Sequence, residues 1–419
     1  MENRIPVATA ATVLNSLKGG VVPRVGLEYI TVGRRNEISA LLQDVAMIEA
    51  GGASFRFIVG KYGSGKTFLM QALRNHVLEK DFVVTDAELS VEKRFVGHRG
   101  QGLELYKELV HNMAIRSCPD SGALPLILDK WIGTVENEIV QGGILPQDES
   151  FEQEVSKRIF EITFAMEQQV NGFDFGRVLQ LYYEARRNGD EEIQRSVFRW
   201  LYGDYRTKTE AKMELGVNLI VTDDNWFEFI RLFTDFAVKA GYKGLYLCVD
   251  ELAHICEIPS KVGREYNYIK LLNMYNSALQ GKIKHMGILM SITKEALEDE
   301  TKGIYSIEPL RTRLEDKVAV REGIVPFRDM AAPVIRLAAL NPGETYVLIE
   351  KLTKMHEIVY QYESKLDHDD YIYFLKQQYA KAQNAEEITV RDMIRNYITL
   401  LNLTQQNQNK TKEEIMNAQ

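Results

Sequence analysis

Residues 54–77 read SFRFIVGKYGSGKTFLMQALRNHV, and three segments of different character follow one another within them. SFRFIVG is a short apolar run with aromatic and β-branched residues, the composition of a buried strand. From Lys66 onward the spacing of apolar residues is that of an amphipathic helix. Between them, Gly60-Lys61-Tyr62-Gly63-Ser64-Gly65-Lys66-Thr67 completes a G-x-x-x-x-G-K-[ST] pattern. Its glycines let consecutive backbone N–H groups turn inward around phosphate oxygens. Lys66 is spaced to reach the β- and γ-phosphates, and the Thr67 hydroxyl is placed for Mg2+. The helix adds the positive end of its dipole to the same anion site. Strand, glycine loop and helix in this order predict a nucleoside-triphosphate site made of Gly60, Gly63, Ser64, Gly65, Lys66, Thr67 and Phe68, with Mg2+ beside the phosphates.

Such a loop needs a carboxylate at the end of a neighbouring strand. LYLCVDEL, residues 245–252, supplies it: a near-continuous apolar run, as in a central parallel strand, stops in Asp250 and Glu251. Asp250 is expected to hold Mg2+ through water, and Glu251 to orient or deprotonate the attacking water. The competing reading makes both acids caps of the next helix. Asp86 ends a more mixed strand with one acid and fits less well. His254 and Cys256 stand at no metal-ligand spacing with Glu251, so His254 reads as a surface histidine.

The rest of the chain sets these motifs in an alternation of strands and helices, which argues for a parallel α/β sheet. A short helix over 8–17 precedes an extended stretch to residue 32, and a helix follows over 33–51. DFVVTDAEL is a second strand, followed by a basic loop and a helix near 103–117. Residues 118–240 show helical patterns at 150–169, 175–187, 191–202 and 226–240 and no strand of weight. After LYLCVDEL come a helix at 266–279 and the apolar strand MGILMSIT. Helices over 345–356, 371–382 and 390–403 close the chain before a polar tail that lacks periodicity and is expected to fray. The resulting divisions are an N-terminal segment 1–32, a core in two parts at 33–117 and 241–332, a helical insertion 118–240, C-terminal helices 333–403 and a tail 404–419.

Composition excludes several classes. The 419 residues are 45% hydrophobic and 26% charged, which is globular rather than disordered. Lys and Arg total 51 against 59 Asp and Glu, a net charge of −8, so any nucleic-acid contact must come from a local basic patch. Three scattered cysteines suggest neither a disulfide frame nor a zinc site. The start has no apolar core of signal-peptide length and no run approaches a membrane span, so the expectation is a soluble cytoplasmic protein without membrane contact.

The spacing from Lys66 to Asp250 leaves room for a further strand and the insertion. In this respect the chain resembles AAA+ P-loop ATPases, with a parallel sheet core, a helical insertion and a C-terminal helical lid. The resemblance places MGILMSIT between the loop strand and the acidic strand, and makes Ser291 or Thr293 the polar group that senses the γ-phosphate. It makes Arg313, or Arg311 beside it in PLRTRL, an arginine finger acting from a neighbouring subunit; salt bridges or a solvated helix face are the plainer reading. Arg391, opening the last helix, stands where a second sensor arginine would reach the nucleotide, although a surface arginine is equally compatible. Gly33 and Arg34, in VGRRNE, resemble the G-R-x-x-E segment that packs on adenine in origin-recognition-like AAA+ proteins.

More specifically, GGVVPRVGLEYITVGRRNE, FRFIVGKYGSGKTFLMQALR, EKRFVGHRGQGLELYKEL, FRWLYGDYRTKTEAKMELGV and GYKGLYLCVDEL, spread across 19–255, are similar to the BREX-associated ATP-binding proteins of the BrxC/BrxD group. These are bacterial P-loop ATPases of anti-phage defence islands, and the length is closer to BrxD. The resemblance implies an ATP-driven homo-oligomer that acts on double-stranded DNA beside a helicase or TerB-like partner. Lys93, Arg94, His98 and Arg99, with Arg206, Lys208 and Lys212, are the candidate DNA or subunit contacts, and solvated surface is the alternative. A slow-turnover nucleotide switch that recruits an effector is the competing function. A small-molecule kinase is weaker, since no arginine-rich substrate lid follows the core strands.

Overall fold

Five strands carry the fold: β1 (Ala53–Val59), β2 (Val83–Glu88), β3 (Leu245–Asp250), β4 (Met286–Ile292) and β5 (Val334–Arg336). They form one sheet in the order β2-β3-β4-β1-β5. The computed structural model describes residues 5–167, 172–315, 329–381, 389–407 and 409–417. β2 runs parallel to β3, with Val83 beside Leu245 and Glu88 beside Asp250, and β3 runs parallel to β4 from Leu245–Met286 to Val249–Met290. Every residue of β4 is buried, as are the first five of β3 and the last six of β1. Burial on both faces explains why these strands read as continuous apolar runs rather than alternating ones. Gly287 is required where it stands, because a Cβ there would run into the Tyr246 ring of the adjacent strand.

The chain divides into two compact units. The larger comprises Gln43–Phe57 and His76–Lys317 and holds β2, β3, β4 and most of β1. In it the Arg56 guanidinium grips the buried Asp44 carboxylate through two bonds of 2.6 and 2.8 Å, and Ser54 donates to the same carboxylate. Desolvation makes such a pair weak as a source of net stability, but removing either partner would strand a buried charge. Between β2 and β3 come the helices Gln101–His111, Leu124–Gln141, Phe151–Glu167, Gly172–Asn188, Glu191–Leu201, Lys208–Leu215 and Trp226–Lys239. Their shared core is aromatic: Trp131, Trp200, Phe175 and Phe229 are all buried, and Phe175 meets Phe233 edge-on at 5.2 Å.

The smaller unit takes its described residues from Met1–Leu42, Ile58–Asn75 and Val318–Gln419. The helices Val7–Lys18, Pro342–Tyr360, His368–Lys381 and Val390–Gln406 surround a core including Leu14, Leu352, Tyr397 and Leu401. Asn341 and Glu344 cap the Pro342–Tyr360 helix reciprocally. β5 joins β1 here, the Leu337 N–H donating to Val59 O at 2.8 Å.

Several elements differ from the sequence expectation. The stretch read as extended holds a one-turn helix, Leu27–Ile30, that buries Leu27 and Ile30. The expected helix near 103–117 stops at His111, and Ala114 and Ile115 instead make isolated bridges. Leu124–Gln141 and Lys208–Leu215 are helices that the pattern did not suggest. The polar tail, expected to fray, carries the Lys412–Asn417 helix and buries Ile415 in the unit core.

Candidate phosphate site and acid pair

The loop between β1 and the Lys66–Glu79 helix depends on glycine where its backbone is left-handed, at Gly63 (φ 75°) and Gly65 (φ 95°). A Cβ on Gly60 would collide with Ser64 Oγ, and one on Gly63 would come within 2.8 Å of Thr389 Oγ1. Lys66 is buried, and its ammonium donates to Gly60 O and Lys61 O, each at 3.1 Å. Ser64 Oγ is buried without a hydrogen-bond partner among the described residues. An orphaned hydroxyl inside a glycine-walled turn, with a lysine ammonium beneath it, fits a phosphate ligand. Thr67 is exposed in the first helical turn and Phe68 packs partly against the small-unit core.

Two further segments of the small unit hold this loop. Arg34 is 4% exposed, and its Nη2 donates to Ser64 O at 3.2 Å while Nη1 lies 4.0 Å from Glu37. Gly33 has φ 67°, and a Cβ there would press on Glu344 and Leu340, each at 2.7 Å. The pair expected to meet adenine packs against the loop and the C-terminal helices. From the other side, the Arg391 N–H donates to Gly63 O at 3.3 Å, and the Arg391 guanidinium lies 4.6 Å from the centre of the Tyr62 ring. Thr389 caps that helix, accepting from the Asp392 N–H at 3.1 Å. Tyr62 and Thr389 were not singled out in the sequence, although an aromatic inside a glycine loop and a T-x-x-D cap are both readable signals.

In the larger unit, β3 ends in the two acids. Glu251 has left-handed backbone (φ 58°, ψ 46°), unusual for a residue with a side chain. Its N–H donates to Asp250 Oδ1 at 2.9 Å and lies 3.3 Å from Ser291 Oγ, and Ser291 Oγ itself donates to Asp250 Oδ1. Leu89 N–H donates to Asp250 O at 3.1 Å. The two candidate sensing residues therefore differ: Ser291 is fully buried and touches the acid, whereas Thr293 Oγ1 caps Lys294–Glu298 by accepting from Ala296 N–H at 3.3 Å. His254 meets Glu257 Oε2 at 2.7 Å.

The two candidate finger arginines also separate. Arg311 pairs with Glu300 at 3.0 Å and Glu315 at 3.6 Å. Arg313 donates to Pro309 O at 2.6 Å and is in no ion pair among the described residues. Burial pushes the Tyr275 hydroxyl above its ordinary range, and the charges of Arg313 and Arg56 oppose that rise. In the basic loop, Lys93 is paired with Glu108 while His98 and Arg99 are exposed. The loop is pinned from three directions: Asn267 exchanges two 3.0 Å bonds with Val96, Trp226 Nε1 donates to Phe95 O at 2.9 Å, and Asp223 accepts from Gly100 and Leu103 N–H. Arg206, Lys208 and Lys212 are exposed. Among the described residues, no helix is long and apolar enough to cross a membrane.

No curated protein matches the chain. The family model described as BREX system ATP-binding protein BrxC/D matches residues 5–419, and the chain belongs to that family of ATP-binding proteins.

Proposed function

We propose that the chain is an AAA+ ATPase of a bacterial anti-phage defence system, coupling ATP hydrolysis to oligomer assembly or remodelling on double-stranded DNA beside a helicase or TerB-like partner. The observation that carries the reading is the strand order, in which β4 lies between β1 and β3 and brings Ser291 onto Asp250. Open α/β sheets use the C-terminal ends of their strands for ligands, and the acids stand at the end of β3.

In this mechanism the backbone N–H groups of the loop and Lys66 hold the phosphates. Thr67, and Asp250 through water, would hold Mg2+, which would neutralise phosphate charge. Glu251 orients the attacking water and takes its proton as the bond to ADP breaks. Ser291, in preference to Thr293, positions Asp250 and the Glu251 backbone. Arg313, in preference to the paired Arg311, serves as the finger, and Arg391 senses the nucleotide. The rigid backbone under His98 and Arg99 supports a DNA or subunit contact there, with Arg206, Lys208 and Lys212 as the second basic segment.

A second reading, a slow-turnover switch, is favoured by one observation. Lys66, Arg391 and Arg313 each rest on groups of their own unit, so nucleotide must displace local contacts before chemistry. Steady-state ATP hydrolysis by the purified chain, with and without duplex DNA and with Glu251→Gln as the blank, separates the two. DNA-stimulated turnover that disappears in the variant supports the ATPase. Tight ATP binding with negligible turnover, indifferent to DNA, supports the switch.

A further inference from the structure

Tyr62 is 65% exposed, a large aromatic side chain in a loop otherwise made of small and cationic residues. Its ring faces the Arg391 guanidinium at 4.6 Å. The backbone of Arg391 is tied to the same loop through Gly63 O, and Thr389 stands close against Gly63. Asp392, the neighbouring carboxylate, is engaged by the Thr389 hydroxyl at 2.6 Å, and Arg391 is in no ion pair among the described residues. The arginine charge is thus held at the lip of the phosphate loop by a ring face instead of an anion. Cation–π contacts at exposed sites are weak, whereas guanidinium–phosphate bonds are charge-assisted and can be bidentate. A phosphate within reach would win the guanidinium.

We propose that Tyr62 is a specificity-determining residue: it holds Arg391 in competition with the terminal phosphate of ATP and so sets how strongly the site prefers ATP over ADP. The proposal rests on the ATP-site reading of the loop. ADP leaves Arg391 on the ring; ATP draws it off and forfeits the ring contact. Loss of the terminal phosphate returns the guanidinium to Tyr62, which resets the loop after each turnover. Tyr62 is a positioning residue in this scheme and acts through Arg391.

The test is calorimetric titration of the full chain with Mg2+ and either ADP or the non-hydrolysable analogue AMP-PNP. The proteins are the unaltered chain, Tyr62→Ala, Tyr62→Phe, Arg391→Ala and the Tyr62→Ala/Arg391→Ala double variant, with circular dichroism melts to check folding. Tyr62→Ala should tighten AMP-PNP binding about two- to five-fold, the range a weak cation–π contact allows, and leave ADP unchanged. Tyr62→Phe, which keeps the ring, should keep the AMP-PNP to ADP ratio. Arg391→Ala should weaken AMP-PNP and spare ADP, and adding Tyr62→Ala to it should change nothing further. The proposal is overturned by an unchanged ratio in Tyr62→Ala, by equal weakening of both nucleotides, or by a gain that persists without Arg391. If the unaltered chain binds neither nucleotide, the ATP-site reading falls and this proposal with it. Binding by the unaltered chain with an indifferent Tyr62→Ala sinks the proposal alone.

Discussion

The glycine loop and the acid pair solve opposite problems. The loop is shaped by backbone: left-handed glycines, a buried Ser64 hydroxyl without a partner among the described residues, and Arg34 bracing Ser64 O. The acid pair is shaped by side chains that already satisfy one another, with Asp250 Oδ1 receiving both the Ser291 hydroxyl and the Glu251 N–H. A cradle with an unmet hydroxyl favours binding, since a ligand contact to Ser64 Oγ replaces no bond found among the described residues. A carboxylate with its donors in place is oriented before metal or water arrives. In the proposed ATPase the contrast makes affinity and turnover separable, so that each should be open to damage alone.

The sharpest break is Glu251→Gln, which should lower kcat about 100- to 1,000-fold, in the range for a lost general base, with ATP affinity retained in a binding assay. Lys66→Ala strikes the other region and should weaken ATP about 100-fold by equilibrium titration, the worth of one or two charge-assisted bonds. Loss of turnover with unchanged affinity in that variant would erase the contrast. Ser291→Ala should cut kcat about ten-fold, as expected for one lost hydrogen bond to a charged group, and hardly alter affinity; Thr293→Ala should do less to turnover. Equal effects would mean that contact with Asp250 does not distinguish the two residues.

The smallest expected effect concerns stability in the small unit. His356 is buried, bonded to Tyr362 Oη at 2.9 Å and Asn402 Oδ1 at 3.1 Å, and burial holds its pKa below the ordinary 6.5. The unfolded chain takes up a proton as pH falls through about 6.5 while the folded chain does not, so stability is flat above that pH and declines below it. Thermal melts at pH 7.5 and 5.5 should show a His356-dependent drop of roughly 2 °C on the acid side. His356→Gln should remove that part of the slope, whatever it does to the melting temperature itself.

Much of this was legible in the sequence, for identifiable reasons. The glycine loop is fixed in length by phosphate geometry, and β1, β3 and β4 are long apolar runs that end abruptly. β5 has three residues, too few for any period to register. Leu124–Gln141 begins beside Pro125 and shortly after Gly122, residues that punctuate a helical pattern, although proline in a first helical turn is compatible with helix. The Lys412–Asn417 helix buries Ile415 in a stretch too short for periodicity to be seen. At the acids, the sequence could not choose between Ser291 and Thr293, because the choice turns on where β4 ends and a helix cap begins. Likewise the contact of Arg34 with Ser64 O depends on tertiary packing and could not be read from VGRRNE.

The left-handed backbone at Glu251 has a consequence for selection. For a residue with a Cβ this conformation costs about 1–2 kcal/mol, and glycine there would be relieved of it. Glu251→Gly should therefore melt higher than the unaltered chain while losing the carboxylate proposed to orient the attacking water. A population of variants screened for heat resistance alone would drift toward an inert protein at this position, and a screen for activity would pull it back. If Glu251 has the role proposed for it, position 251 sets thermostability against turnover.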